Sequence, residues 1–336
     1  MKELLKKAAD GKDLTRAEAA AAMDMMLEGK VSPVLTAAFL TALRMKGETI
    51  EEIVGCTEMM KSKGGTVKLN TDDYIDFVGT GGDGTNTFNI STTSMFVCAA
   101  AGVTVAKHGN RASSSKSGAS DLLEALGANI MLEPEQVEKC INEIGIGFLN
   151  AQKFHKAMKN VAPVRKEIGI RTIFNMLGPL SNPSGSTRQV IGVYGRDRLP
   201  VFSKVMSTMG VRRAMIVHGS DGMDEITVTG KTYINEIKGD EILEYELDPK
   251  DYGIEYAAPE ELVGGDGAEN AEITKRIFAG EKGAKRDIVL MNSAAGIYMG
   301  GKADTYKDAI EIAKDMIDSG KAAQKLNEFV EYTNKF

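Results

Sequence analysis

Two stretches of this chain place anion-gripping residue types directly after strand-like runs. The first is Gly79-Thr80-Gly81-Gly82-Asp83-Gly84, which follows the β-prone run Tyr74–Val78. Glycines there can take positive φ and bring backbone amides close to a ligand. Amides converging at the start of a following helix bind anions. The run fits G-x-G-x-x-G as a string, a weak signal by itself, and is not a P-loop, so no dinucleotide or nucleotide assignment follows, and a tight turn without a ligand is the alternative. Asn89-Ile90-Ser91-Thr92 follows and opens the next helix. Ser91 or Thr92 there serves either as an N-cap or as a hydroxyl for a phosphate or divalent cation.

The second stretch, Lys107–Gly118, reads KHGNRASSSKSG. Lysine supplies a point charge, and serines supply hydroxyls beside free backbone amides, the donors that a phosphate or pyrophosphate needs. A solvated polar loop would gain little from donors packed this densely. A multiply phosphorylated ligand usually arrives with Mg²⁺, which takes few carboxylates and keeps phosphate oxygens and water. The adjacent acids Asp224 and Glu225, in the glycine-rich run after Ala214–His218, are the candidates. Two neighbouring acids call for a metal or a nearby cation.

Composition narrows the ligand class. The net charge is −6, Trp is absent and aromatic residues make up 6%, which argues against nucleic-acid binding. Cys56, Cys98 and Cys140 are widely spaced and read as buried apolar residues of a reducing compartment, and the three histidines lack metal-ligand spacing. The charged N-terminus lacks an apolar signal core, and the longest apolar run, Met95–Ala106, is too short to span a bilayer. The expectation is a cytoplasmic protein without a membrane partner.

The elements that must hold these loops follow from punctuation and period. Thr15 with Glu18 and Thr49 with Glu52 fit capping boxes, and Ser32-Pro33 fits an N-cap followed by proline. Gly29, Gly47 and Gly64 fall at helix ends, so the first sixty-odd residues form a small all-helical unit. From Tyr74 strands alternate with helices: Val103–Ala106 and Ala128–Leu132 read as strands, and Ser91–Ala101 and Glu135–Ile144 as helices. Gln189–Tyr194 and Ala214–His218 continue the strands. The alternation predicts βαβ units and a mainly parallel sheet, with Tyr233–Tyr245 as its antiparallel part. Phe154–Pro183 interrupts the pattern as a helical crossover, and the fold class is α/β.

Together these segments resemble the anthranilate phosphoribosyltransferase family. The carriers are GTGGD (79–83), NIST (89–92), KHGNRASSSKSG (107–118), PVR (163–165), FNMLGPLSNP (174–183) and VHGSDGMDE (217–225). The resemblance implies a nucleoside phosphorylase/phosphoribosyltransferase-like fold. Residues 1–72, completed by about 165–188, would form the helical domain, and 73–164 with 189–336 the α/β domain. It also implies a homodimer through the helical domain and a Mg²⁺-dependent transfer of phosphoribose from phosphoribosyl pyrophosphate (PRPP) to the anthranilate amine.

By position, Gly79, Gly82, Asp83, Thr87, Asn89, Ile90, Ser91 and Thr92 match PRPP-binding residues. So do Lys107, His108, Gly109, Asn110, Arg111, Ala112, Ser113, Ser114, Ser115 and Ala119. Ser91, Asp224 and Glu225 match metal ligands, and Gly79, Asn110 and Arg165 match anthranilate contacts. No side chain reads as a general acid or base, because an aryl amine is already neutral near pH 7; Lys107 would act electrostatically. Ser120 and Leu149-Asn150-Ala151-Gln152 depart from the family wording, the latter near the acceptor entrance. A nucleoside phosphorylase, using inorganic phosphate, would lack KHGNR together with FNMLGPLSNP.

Overall fold

The computed structural model describes residues 1–112 and 116–336, so Ser113, Ser114 and Ser115 lie outside the described residues. Four helices begin the chain: α1 (Lys2–Ala9), α2 (Arg16–Leu27), α3 (Pro33–Lys46) and α4 (Ile50–Ser62). Thr15–Glu18 and Thr49–Glu52 form reciprocal capping boxes, and the Ser32 side chain accepts from the Leu35 amide with Pro33 in the first turn. Each start signal in the sequence therefore satisfies amides that a helix end leaves without partners. Val34, in the first turn of α3, is 77% exposed.

The rest of the chain builds one sheet. Its strands are β1 (Tyr74–Gly79), β2 (Thr104–Gly109), β3 (Ile146–Asn150), β4 (Arg188–Gly192), β5 (Arg213–Gly219), β6 (Thr232–Lys238) and β7 (Glu241–Leu247). Their order is β3-β2-β1-β4-β5-β6-β7. Pairing is parallel from β3 to β5 and antiparallel for β5–β6 and β6–β7. The chain leaves β1 toward β2 on one side and later returns to lay β4 on the other. This reversal opens a crevice at the carboxyl ends of β1 and β4, where open α/β sheets hold ligands.

Both faces of the sheet are covered, as a parallel sheet requires. Val190, Met215 and Val217 join one core with α5 (Ile90–Ala100) and the C-terminal helices. Ile191, Ala214 and Ile216 face the other core, which contains Met23, Leu40 and Val54 of the first helices and Phe174 and Leu177 of the helix Phe174–Leu180. The mid-chain crossover thus packs into the N-terminal helices.

Two strand expectations are corrected. Ala128–Leu132 is not a strand; Ala128, Ile130 and Leu132 are buried against neighbouring cores, which satisfies their alternation without a partner strand. The edge beside β2 is taken by Ile146–Asn150, which the sequence reading passed over. Pairing with β3 also extends β2 through Lys107, His108 and Gly109, residues expected in a loop. Among the described residues no helix is long and apolar enough to cross a membrane.

The helix Ala284–Met299 lies against β1 and α5 through Gly296, where a Cβ would come within 1.8 Å of Phe77 Cζ and 2.8 Å of Cys98 Sγ. Gly296→Ala overpacks this contact and should cost about 1–3 kcal/mol, read as a lower urea midpoint. An unchanged midpoint would show that the helix shifts freely.

Candidate functional site

The crevice is organised around the turn that follows β5. Gly219 N donates to Met223 O at 2.8 Å, and Asn292 brackets Ile226, accepting from its amide at 3.0 Å and donating to its carbonyl at 2.8 Å. Asp224 and Glu225 are held between these anchors. Gly79 and Gly192, paired across β1 and β4, make the seat. A Cβ on Gly79 would lie 2.5 Å from Asp224 Oδ2, and one on Gly192 1.5 Å from the Asp224 carbonyl oxygen.

The first glycine loop closes over this turn. Gly81 N donates to Asp224 Oδ2 at 2.5 Å, and Asp224 N donates to Asp83 Oδ2 at 3.4 Å. The Thr85 hydroxyl holds Asp83 at 2.6 Å. Glu225 Oε1 accepts from Ser91 N in the first turn of α5 at 3.2 Å. Lys107, on β2, reaches across β1 to donate to the Phe77 carbonyl and to Ser91 Oγ at 3.3 Å. Asp83, Ser91, Lys107, Asp224 and Glu225, drawn from four parts of the chain, therefore form one connected cluster.

The electrostatics of that cluster are unbalanced. Burial raises the Asp224 carboxyl above the usual range, and the Asp83 charge raises it further. Glu225 is raised by burial and by Asp224, against a lowering pull from Lys107. Burial pushes Lys107 down, opposed by Asp76, Glu225 and Asp224. One lysine against these acids leaves negative charge that a divalent cation would neutralise, so Ser91, Asp224 and Glu225 fit a hard, oxygen-ligated ion. Among the described residues no three His, Cys, Asp or Glu side chains form a ready metal cage. That sparse donor set suits a cation completing its shell with ligand oxygens and water.

The remaining predicted residues divide by where their side chains go. Ile90 and Thr92 are buried in α5. Neither Ser91 nor Thr92 caps α5; Asn89 is its N-cap residue, and its side chain instead joins Ser117 and Asn270. Thr87 forms an isolated bridge with Val263. Gly109 has Phe148 and Ala119 within 3.0 Å of a would-be Cβ, which explains glycine at the end of β2.

Asn110 is exposed and uses its backbone carbonyl on Ser120 N at 3.2 Å. Arg111 turns away onto α6 (Ala119–Ala125), pairing with Glu124 at 2.6 Å and Asp121 at 3.0 Å. Asp121 also accepts from the amides of Ala112 and Gly118 at 3.0 and 2.8 Å. Ser113, Ser114 and Ser115 lie outside the described residues.

Arg165 stands on the crossover helix Ala162–Ile168, 5.1 Å above the Phe174 ring. Burial pulls its pKa below the ordinary arginine value, and among the described residues no carboxylate pairs with it. A desolvated guanidinium without a counter-ion is ready for a carboxylate ligand. No hydrogen bond joins it to Gly79 or Asn110 among the described residues.

Sequence reasoning passed over four residues here. Asp76 on β1 is fully buried, accepts from His108 N at 3.0 Å, and is pushed up to about 6 by burial. An acid in an apolar strand flanked by a lysine-bearing strand was its signal. Asp121 was signalled by its place three residues after Gly118. His155 packs edge-on against His108 at 5.1 Å, and Arg171 contacts the first glycine loop. Neither carried a local signal, because both contacts span long sequence separations.

A family described as the helical bundle domain of a glycosyl transferase family matches residues 2–64, and one described as its a/b domain matches residues 71–323. Anthranilate phosphoribosyltransferase of Acetivibrio thermocellus is 54% identical over 336 residues, 100% of this chain and 97% of that protein. The crystal structure of anthranilate phosphoribosyltransferase from Thermus thermophilus superposes with a TM-score of 0.93 at 40% identity, covering 98% of this chain and 99% of that one. The Saccharomyces cerevisiae anthranilate phosphoribosyltransferase in complex with PRPP and Mg superposes with a TM-score of 0.91 at 30% identity, covering 99% and 98%.

The two histidines packed edge-on give a pH signature. Burial and then the neighbouring His155 push His108 down to about 3, and burial pushes His155 down to about 4. Both are neutral in the fold at pH 7, whereas in the unfolded chain they protonate near pH 6.5. Protons therefore favour the unfolded state as pH falls from about 6.5 toward the folded values. Each histidine should remove about 1.4 kcal/mol of stability by about pH 5.5. Urea unfolding at about pH 7.5 and 5.5 should show a smaller loss in His155→Gln than in the parent, and equal losses would refute the buried neutral pair.

Proposed function

This chain belongs to the anthranilate phosphoribosyltransferase family, and we propose that it transfers the phosphoribosyl group of PRPP to the amine of anthranilate, a step of tryptophan biosynthesis. The observation that carries the reading is the meeting of Gly79, Ser91, Lys107, Asp224 and Glu225 at the carboxyl ends of the sheet. In a glycosyl transfer of this kind the amine nitrogen bonds to ribose C1 while the C1–oxygen bond to pyrophosphate breaks, and the displaced amine proton passes to solvent.

The chain's residues divide that work. Ser91, Asp224 and Glu225 would hold Mg²⁺, which supplies positive charge to the leaving pyrophosphate. Lys107 adds a fixed cation beside the same point, where low dielectric makes it count. Gly79, Gly82, Asp83, Thr87, Asn89 and the described part of Lys107–Ala119 would line the PRPP site. Arg165, with Gly79 and Asn110, would hold anthranilate by its carboxylate and set the amine for attack. Positioning of this kind can lower a barrier by roughly 7–11 kcal/mol in favourable cases.

The same reading divides the molecule into a helical domain, 1–72 with about 165–188, and an α/β domain. The shared core of Leu40, Val54, Phe174 and Leu177 supports that division. We take α3 as the homodimer surface, supported by Val34 and Met45, which are 77% and 79% exposed. Three free, buried cysteines support a cytoplasmic setting.

Mixing the protein with PRPP, Mg²⁺ and anthranilate should extinguish anthranilate fluorescence, and a constant signal beside an active control would overturn the assignment. Arg165→Ala should raise the anthranilate KM by about 10–100-fold, the loss of a charge-assisted contact, with little change in the PRPP KM. An unchanged anthranilate KM would remove the carboxylate role. The double change Asp224→Ala, Glu225→Ala should weaken Mg²⁺-dependent use of PRPP, measured by titrating Mg²⁺ against rate.

A further inference from the structure

Arg171 lies on the short linker between the helices Ala162–Ile168 and Phe174–Leu180. Gly169, at φ 65°, ends the first helix, and Thr172 N donates to Asn175 Oδ1 at 3.0 Å to start the second. The linker is also tied to the N-terminal helices, because Arg44 of α3 donates to the Arg171 carbonyl. From this position the Arg171 guanidinium donates to the carbonyl of Gly82. Its other contact is the ring of Tyr194, just beyond β4, with Cζ 4.3 Å from the centroid.

Gly81 and Gly82 both sit at positive φ, 68° and 73°, where the backbone has no side chain to fix it. The amides of Gly82, Asp83 and Gly84 form no hydrogen bond among the described residues. In a trans peptide the carbonyl and the following N–H point in opposite directions. Holding the Gly82 carbonyl therefore turns the Asp83 N–H to the side of the loop away from Arg171. The next group along, the Asp83 carboxylate, accepts from Asp224 N at 3.4 Å.

We propose that Arg171 is a positioning residue for PRPP: stacked on Tyr194, it pins the Gly82 peptide and keeps the amides of the glycine loop set for the pyrophosphate. Arg171 acts through the loop and Tyr194 acts through Arg171. The linker that carries Arg171 also continues the helix that carries Arg165, so one segment serves the acceptor side and the loop. Lysine at position 171 could donate to Gly82 but could not stack as a flat guanidinium does.

This rests on the proposed PRPP reaction, and the parent protein's turnover, measured in the same assay, tests that reaction separately. Arg171→Lys, Tyr194→Leu and the double variant are compared for both KM values, kcat, thermal midpoint and calorimetric binding of pyrophosphate with Mg²⁺. Each single change should raise the PRPP KM and weaken pyrophosphate binding about tenfold, and the double should stay near tenfold, because the two residues work as one unit. Anthranilate KM and kcat should stay within about twofold of the parent. A double variant near a hundredfold would mean that the two act independently and would overturn the proposal, as would an unchanged PRPP KM. Loss of kcat and both KM values together with the thermal midpoint would assign Arg171 a structural role only. If Arg171→Lys does not fold, Tyr194→Leu alone decides by the same split.

Discussion

Two adjacent carboxylates, Asp224 buried and Glu225 half-buried, govern this crevice. An ionised carboxylate buried without a partner costs several kcal/mol, and a second beside it adds repulsion. Asp224 and Glu225 are brought side by side by a turn whose ends are fastened to Gly219 and Asn292. Glu225 relieves part of its charge on the first-turn amide of α5, where the helix dipole is favourable. Asp224 relieves part of its charge on Gly81. Lys107 contributes the nearest cation, yet its own burial works against carrying that charge. The residual demand for positive charge gives the site a use for a divalent ion and its phosphate ligands.

The scaffold supplies this arrangement through the reversal of strand order. Parallel strands end together, and the chain's switch of direction at β1 leaves the ends of β1 and β4 without a crossing connection above them. Gly79 and Gly192 are neighbours in register there, and both lack a Cβ where one would collide with Asp224. Either glycine alone would leave the turn propped up by the other position. The pair lets an acidic turn rest directly on the strand ends, within reach of a lysine from the neighbouring strand β2. Function here depends on two absent side chains as much as on the charged ones.

Local signals in the sequence were read well where the structure uses local physics. Capping boxes at Thr15 and Thr49 formed as read, because the groups that satisfy one another are three residues apart. The antiparallel hairpin around Gly239 likewise follows from a short-range turn, with φ 67°. Ala128–Leu132 failed because alternation signals burial on one side, and only a partner strand turns burial into a ladder. β3 was hidden for the same reason: Ile146–Asn150 is short and wholly buried, so it shows no alternation. Within the crevice, residue types marked Lys107, Asp224 and Glu225, but nothing local ties Arg171 to Gly82 or His155 to His108. The Arg111 ion pairs with Glu124 and Asp121 were likewise not legible, since they form only once α6 lies beside the loop.

The pairing of Arg111 with Asp121 bears on how the first loop and the described ends of the second are held. Buried or half-buried amides must find acceptors, and a glycine- and serine-rich loop has few of its own. Asp121 serves Ala112 and Gly118, while Asp224 serves Gly81. The first loop is therefore folded around a carboxylate from elsewhere in the chain, and Ala112 and Gly118, described residues of the second, are tied to Asp121 just beyond it. At the first loop an incoming anion meets preorganised backbone and avoids the ordering entropy that a slack glycine loop would demand. The net charge of −6 does not oppose this, because acids such as Asp121 and Asp224 are the groups that hold the donors in place.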